Sequence, residues 1–240
     1  MQLVVAHKVP GGLELPLNYH HILQAIIYNN LKNSYGYSDF IHNTGFQWGN
    51  REFRMFTFSL IQGKYQIKGN KIRFQDEIFF EVRSPEIFFI RQLADTIMKN
   101  GITYGKQHFD NVEIYIEDYT VEEEELHIKM RTPTTVYITD TVSKKTHFLN
   151  PLEEGFSELI CRNFWRKYEA CYGTPPKNGI GIEPIRITEK DKFVTKYKGF
   201  YISGWYGEYY LAGARKYLDF LYQTGLGSKN SQGFGMFDVI

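Results

Sequence analysis

The sequence predicts an α+β protein made of two tandem βαββαβ units, residues 1–121 and 122–240. Three observations carry this expectation. Strand-like and helix-like periods follow one another in the order β-α-β-β-α-β up to residue 119. An acidic run, Glu122 to Glu125, then interrupts the pattern as a solvated turn. The same order then recurs to the end of the chain. Such a unit is the ferredoxin-like, RRM-like arrangement, here read twice. Composition agrees: 240 residues with 42% hydrophobic and 17% aromatic content supply enough apolar mass for such cores.

Each element has a local reason. LVVAHKV (3–9) is apolar and β-branched, a strand. In YHHILQAIIYNNLK (19–32), Tyr19, Ile22, Leu23, Ile26, Ile27 and Leu31 make one helical stripe. FRMFTFSLIQGKYQIK and KIRFQDEIFFEV meet at Gly69-Asn70, a hairpin signal. Ser84 stands as an N-cap before Pro85, and Ile87, Ile90, Ala94 and Ile97 continue a helix to Asn100-Gly101. NVEIYIEDY alternates as a closing strand.

In the second unit LHIKMRTPTTVYI (126–138) reads as a strand bent at Pro133. Asn150, Pro151 and Glu153 suggest a capping-box start for a helix running to Gly173. PIRITE and KFVTKYKGFYISGWY suggest a hairpin about Lys190-Asp191. Leu211, Ala214, Leu218 and Leu221 suggest a helix from Glu208, capped by Gly225, before the strand GMFDVI.

Cys161 and Cys171 lie ten residues apart within one expected helix, so they read as reduced thiols of a cytoplasmic protein. MQLVVAHKVPGG lacks the cationic start and apolar run of a signal peptide. No segment approaches the roughly 20 apolar residues of a membrane helix, so no membrane is expected. No Cys/His cluster has metal spacing, and neither metal nor cofactor is expected. A net charge of +1 means that any nucleic-acid binding must use a local basic patch.

The C-terminal stretch GLGSKNSQGFG carries Gly225, Gly227, Gly233 and Gly235 in the spacing G-x-G-x5-G-x-G. It is not a P-loop, which needs Lys after the second glycine of G-x-x-x-x-G and a following helix. It is not a dinucleotide loop either, because Asn230 falls where the third glycine should be. Glycines still permit close backbone approach to phosphates, and successive N–H groups can form an anion nest. Ser228, Lys229, Asn230 and Ser231 add charge and hydrogen-bonding groups.

This loop, ending a second ferredoxin-like unit, resembles the CRISPR-associated endoribonucleases of the RAMP superfamily that cut precursor guide RNA within its repeats. PLNYHHILQAIIYNNL is similar to the first helix of that family. FIHNTG followed by FRMFTFSLIQG, and WRKYEACYGTPP, resemble further segments in the same order. The resemblance implies cleavage without a metal. The ribose 2′-oxygen attacks the adjacent phosphorus and expels the 5′-oxygen, leaving a 2′,3′-cyclic phosphate and a 5′-hydroxyl. Such chemistry requires a base, an acid and a cation.

By the resemblance, His42 matches the catalytic histidine and Tyr28 a tyrosine near the end of the first helix. Arg54 stands where a relative has lysine. Arginine holds its charge and grips phosphate, but cannot exchange a proton, so its role is charge stabilisation. Arg51 is an alternative for that role, and which of Tyr28 and His42 is acid or base stays open. Tyr28 lies off the apolar stripe, on the flank of His21 and Lys32, which makes His21 an RNA-contact candidate. Lys192, Lys196 and Lys198 can share one strand face toward RNA, with Tyr197 among them.

The expected partner is CRISPR repeat RNA as precursor crRNA, with handover to an interference complex and a homodimer as further expectations. Two other readings stand beside this one. A relative lacking cleavage would bind repeat RNA only, and a ferredoxin-like pair of another kind would serve a small-molecule or protein-assembly role.

Overall fold

The computed structural model describes residues 1–31, 45–197 and 199–240, and the statements below concern these. The protein is α+β with antiparallel sheets. The first sheet is built from β1 (Gln2–Lys8), β2 (Gln62–Lys68), β3 (Lys71–Arg83) and β4 (Val112–Glu117), with helices α1 (His20–Leu31) and α2 (Ile87–Asn100). Strand β3 is the spine. One of its edges pairs with β1 and then Leu13–Pro16; the other pairs with β2 and then Thr57–Phe58. Strand β4 pairs with the outer edge of β1.

The second sheet holds β5 (Glu125–Met130), β6 (Gly181–Arg186), β7 (Glu208–Ala212) and β8 (Phe237–Val239) in the order β6-β7-β5-β8. Helices α3 (Phe156–Tyr172) and α4 (Arg215–Thr224) belong to it. In both sheets the first and third strands are central and the second and fourth lie outside, which is the order a βαββαβ chain adopts.

Two apolar cores follow. Leu3, Val5, Leu23, Ile27, Phe80 and Ile90 are at the centre of the first. Ile128, Ile160, Phe164, Leu211 and Leu218 are at the centre of the second. Each such side chain contributes about 1.5–3 kcal/mol by burial. In α1 the expected stripe is the buried one, except that Ile22 is only partly covered and His20 is buried with it.

Several local expectations are corrected. Glu208–Ala212 is a strand, not the start of a helix, and α4 begins at Arg215. Tyr209 and Leu211 also satisfy a period of two, and β5 and β6 offer hydrogen bonds from both sides. The hairpin about Lys190-Asp191 does not form. Thr188 and Asp191 instead cap a single 3-10 turn there, and β6 pairs with β7. Lys192–Tyr197 pairs instead with Phe200–Trp205. Asn150 does not cap α3; its Oδ1 accepts from the Leu152 N–H, and the helix starts after Gly155. Ser84 is not the N-cap of α2. Its hydroxyl donates to the Met55 carbonyl and accepts from the Glu86 N–H. The run from 53 to 68 is interrupted, with strands at Arg51–Phe53, Thr57–Phe58 and Gln62–Lys68.

The two sheets are tied by a buried ionic knot. Arg83 on β3 reaches Glu81 at 3.2 Å and Asp238 on β8 at 3.1 Å, and donates to the Phe237 carbonyl at 2.6 Å. Arg131 completes the knot against Glu81 and Asp238. The Arg83 guanidinium also lies 4.0 Å over the Tyr222 ring. Removing Arg83 leaves the buried Glu81 carboxylate with Arg131 as its remaining counter-charge and the Phe237 carbonyl without its donor. Arg83→Met is therefore expected to destabilise the fold by about 3–5 kcal/mol, read by urea unfolding. A loss within about 0.5 kcal/mol, ordinary for a surface change, would refute this account of the junction.

Candidate active site

Tyr28 lies near the C-terminal end of α1, on the flank beside the apolar stripe. Its ring meets Phe56 edge to face at 5.9 Å between centroids. Its hydroxyl has the side chains of Arg54 and Ser231 close enough to pull its pKa down. Arg54 follows the short hairpin Phe46–Trp48/Arg51–Phe53. The Arg54 side chain is only 12% exposed, and Nη2 is 3.2 Å from Glu52 Oε2. Gly45 lies against it: a Cβ at that position, where φ is +58°, would fall 2.1 Å from Arg54 Nη1. Burial pushes the Tyr28 pKa up, against the opposing pull of Arg54 and Ser231. At neutral pH Tyr28 is thus a phenol able to donate a hydrogen bond or a proton.

Ser231 belongs to the glycine-rich loop, so the loop reaches the Tyr28–Arg54 pair directly. The loop is wedged into the fold, and much of its backbone is already engaged. The N–H groups of Gly225, Leu226, Ser228, Gln232, Gly233 and Gly235 donate to the carbonyls of Leu221, Gly235, Thr135, Lys229, Asn230 and Pro133. Those six are not available to a phosphate. The glycines answer to packing. A Cβ on Gly235 would fall 2.0 Å from the Leu226 carbonyl oxygen, and one on Gly233 would fall 2.8 Å from the Phe58 ring. What the loop offers outward is Ser228, Lys229 and Ser231, each half-buried. Asn230 is buried and ties the loop together through the Leu226 and Phe234 carbonyls.

Helix α3 holds the loop from behind. Lys167 is fully buried and donates to the Thr224 and Gly225 carbonyls and to Asn230 Oδ1, at 3.4, 2.5 and 3.1 Å. It thereby caps α4 and fixes the loop in one stroke. Burial pushes the Lys167 pKa from 10.5 down to about 7. Between these values the unfolded chain holds a proton that the folded chain does not, so stability from this group rises with pH across that window. In urea unfolding, the wild type is expected to gain stability relative to Lys167→Met as pH rises from about 7 to about 10. A constant difference would mean that Lys167 titrates normally.

Around this centre, Gln24 of α1 donates to the Ser231 carbonyl at 2.6 Å and accepts from the Tyr197 hydroxyl. The Lys192–Tyr197/Phe200–Trp205 hairpin is thus tied to α1, and Asn18 Nδ2 donates to the Lys196 carbonyl at 2.9 Å. Lys192 and Lys196 are exposed along one face of this hairpin, while Tyr197 points inward. The exposed aromatics there are Phe200 and Tyr201. His21 is exposed, its Nδ1 2.9 Å from the Asn18 carbonyl oxygen. Lys229 Nζ lies 5.1 Å over the Tyr137 ring. His42, Lys32 and Lys198 lie outside the described residues.

His20, Gln24 and Lys167 are site neighbours that the sequence reading does not single out. His20 stacks on Phe234 at 5.1 Å, and burial pushes its pKa down to about 4. Its position beside the stripe residue Tyr19 was the only available signal. Lys167 carried none, because a lysine on a helix is ordinarily solvated. Cys161 and Cys171 are free thiols. Among the described residues, no helix is long and apolar enough to cross a membrane.

A helix-borne tyrosine, an arginine just past a short hairpin and a terminal glycine loop converge, and they define the class: an α+β protein with antiparallel sheets built around a polar site. The family model "CRISPR associated protein Cas6, C-terminal" matches residues 116–239. The chain therefore belongs to the Cas6 family of CRISPR-associated proteins. It is 27% identical over 236 residues to CRISPR-associated endoribonuclease Cas6 1 of Methanocaldococcus jannaschii, covering 92% of this chain and 86% of that one. It is 23% identical over 235 residues to CRISPR-associated endoribonuclease Cas6 of Pyrococcus furiosus, covering 95% and 84%. Among solved structures, one described as a RAMP protein binding different RNA substrates superimposes with a TM-score of 0.80. That match has 21% identity and covers 100% of this chain and 98% of the other.

Proposed function

We propose that the protein is a metal-independent endoribonuclease that binds CRISPR repeat RNA and cuts precursor crRNA within each repeat. The observation that carries this reading is the meeting of Tyr28, Arg54 and Ser231 at one point. There a proton donor, a fixed cation and a residue of the glycine loop stand together. The names of the two endoribonuclease relatives support the substrate, and the strand order of each sheet supports two tandem ferredoxin-like units divided near residue 121. We read the protein as cytoplasmic, passing its product to an interference complex, with a homodimer as a further possibility.

In the reaction, the 2′-oxygen forms a bond to phosphorus as the bond to the 5′-oxygen breaks. A base takes the 2′ proton and an acid returns one to the leaving 5′-oxygen. Arg54 faces the charge that grows on the phosphorane. Tyr28, held as a phenol, suits the donor role, which leaves His42 as the candidate base. His21, Lys192, Lys196, Lys198 and, from the loop, Ser228, Lys229 and Ser231 contact the RNA, while the buried Gly225, Gly227, Asn230, Gly233 and Gly235 shape the loop that presents them.

The test uses the protein's own repeat RNA in EDTA, beside a copy with one 2′-deoxy at the mapped cut. Cleavage of the first alone is the expected result. Tight binding with neither RNA cut would favour a repeat-binding protein without nuclease activity. Lys229→Ala is expected to weaken binding and lower the slope of log K against log salt by about 0.7, the share of one single-strand phosphate contact. An unchanged slope would remove Lys229 from the interface.

A further inference from the structure

The described surface carries one cluster of cations that the proposed chemistry does not use. Arg162 and Arg166 stand one helical turn apart on α3, on the side packed by the Phe46–Trp48/Arg51–Phe53 hairpin. The Arg166 guanidinium lies 4.8 Å over the Trp48 ring. Arg51, on that hairpin, is close enough that both it and Arg162 depress the Arg166 pKa, after desolvation. Arg51 and Arg162 are exposed and Arg166 is half-buried.

No ion pair joins any of the three to a described carboxylate. Two neighbouring carboxylates are engaged elsewhere, Glu52 with Arg54 and Glu169 with the Trp48 indole N–H at 2.7 Å, and Glu158, one turn before Arg162, makes no ion pair with it. Like charges at i and i+4 oppose a helix, and a third guanidinium adds to the repulsion. A fold that keeps such a cluster gains most when an anion enters it. A folded protein with a net charge of only +1 has no general excess to explain it.

The placement indicates which anion. Arg51 opens the second strand of the hairpin, and Arg54 directly follows that strand. Asn163, next to Arg162, reaches Ser228 of the glycine loop at 3.4 Å. The cluster therefore shares its hairpin segment with Arg54 and its helix with a contact to the glycine loop. Guanidiniums bind phosphates bidentately, and an aromatic ring beside them suits a nucleotide chain.

We propose that Arg51, Arg162 and Arg166 form a phosphate track that binds the RNA backbone flanking the cut. This rests on the repeat-RNA reading. It assigns the track to affinity and register, not to the chemical step.

The test compares wild type with Arg162→Ala/Arg166→Ala, and with Arg51→Ala on the separate hairpin, in repeat-RNA binding across a salt series and in single-turnover cleavage at saturating RNA. The double variant is expected to lower the salt slope by about 1.4 and Arg51→Ala by about 0.7, at roughly 0.7 per contact. In the Arg162→Ala/Arg166→Ala variant the saturating cleavage rate should stay within about twofold of wild type, well below the 10²–10⁴-fold typical of an acid–base residue. Relief of like-charge repulsion should leave the melting temperature unchanged or raised. Wild-type cleavage with unchanged salt slopes in both variants would overturn the track and leave the nuclease reading intact. Arginine-dependent slopes without cleavage by any protein would overturn the nuclease reading and keep the track. Absence of wild-type RNA binding would overturn both.

Discussion

His42→Ala is expected to slow cleavage of repeat RNA by at least about a hundredfold while leaving affinity nearly intact, as loss of one acid–base group does. Arg54 is permanently charged and cannot exchange a proton. Tyr28 is held as a phenol by burial. Neither is a base at neutral pH, whereas a histidine titrates there. A pH–rate profile sharpens the test: the limb that reports a base near pH 6.5 should vanish in the variant. Near-normal cleavage by His42→Ala would sink the assignment, and a parallel loss of binding would recast His42 as an RNA contact.

Arg54→Ala should cost about 10²–10³ in single-turnover rate, the usual scale for removing a preorganised charge from the site where negative charge develops. The side chain is positioned by three neighbours, Glu52, the Tyr28 hydroxyl and Gly45. It therefore does not have to find its place during the reaction. Arg54→Lys is the informative companion. It keeps the charge but loses the fork that can hold Glu52 and Tyr28 together, so it should recover only part of the rate. Full recovery would mean that a point charge is enough. No loss in Arg54→Ala would transfer the role to Arg51, and Arg51→Ala should then show the loss of rate.

Much of the first sheet was legible because its signals are local. The stripe in α1, the Gly69-Asn70 turn between β2 and β3, and the alternation in β4 each depend on residues close in the chain. The glycine loop was legible as a motif, and with it the family. Its physical use was not. Spacing alone suggests a backbone nest, whereas six of its N–H groups meet carbonyls as distant as Pro133 and Thr135.

From the chain alone came the α+β class, the repeated order of elements, the candidate residues Tyr28, His42 and Arg54, and the loop that closes the second unit. Tertiary contacts decided the rest. Glu208–Ala212 satisfies helical and strand periods alike, and only flanking strands β5 and β6 choose between them. Lys167 and Arg166 are adjacent cations on one helix. One is buried under the loop it fixes, and the other stacks on Trp48 beside two more arginines. Nothing within a few residues distinguishes them. Periodicity assigns a side chain to a face, but what that face meets comes from segments a hundred residues away, and it is that partner which sets burial, charge state and use.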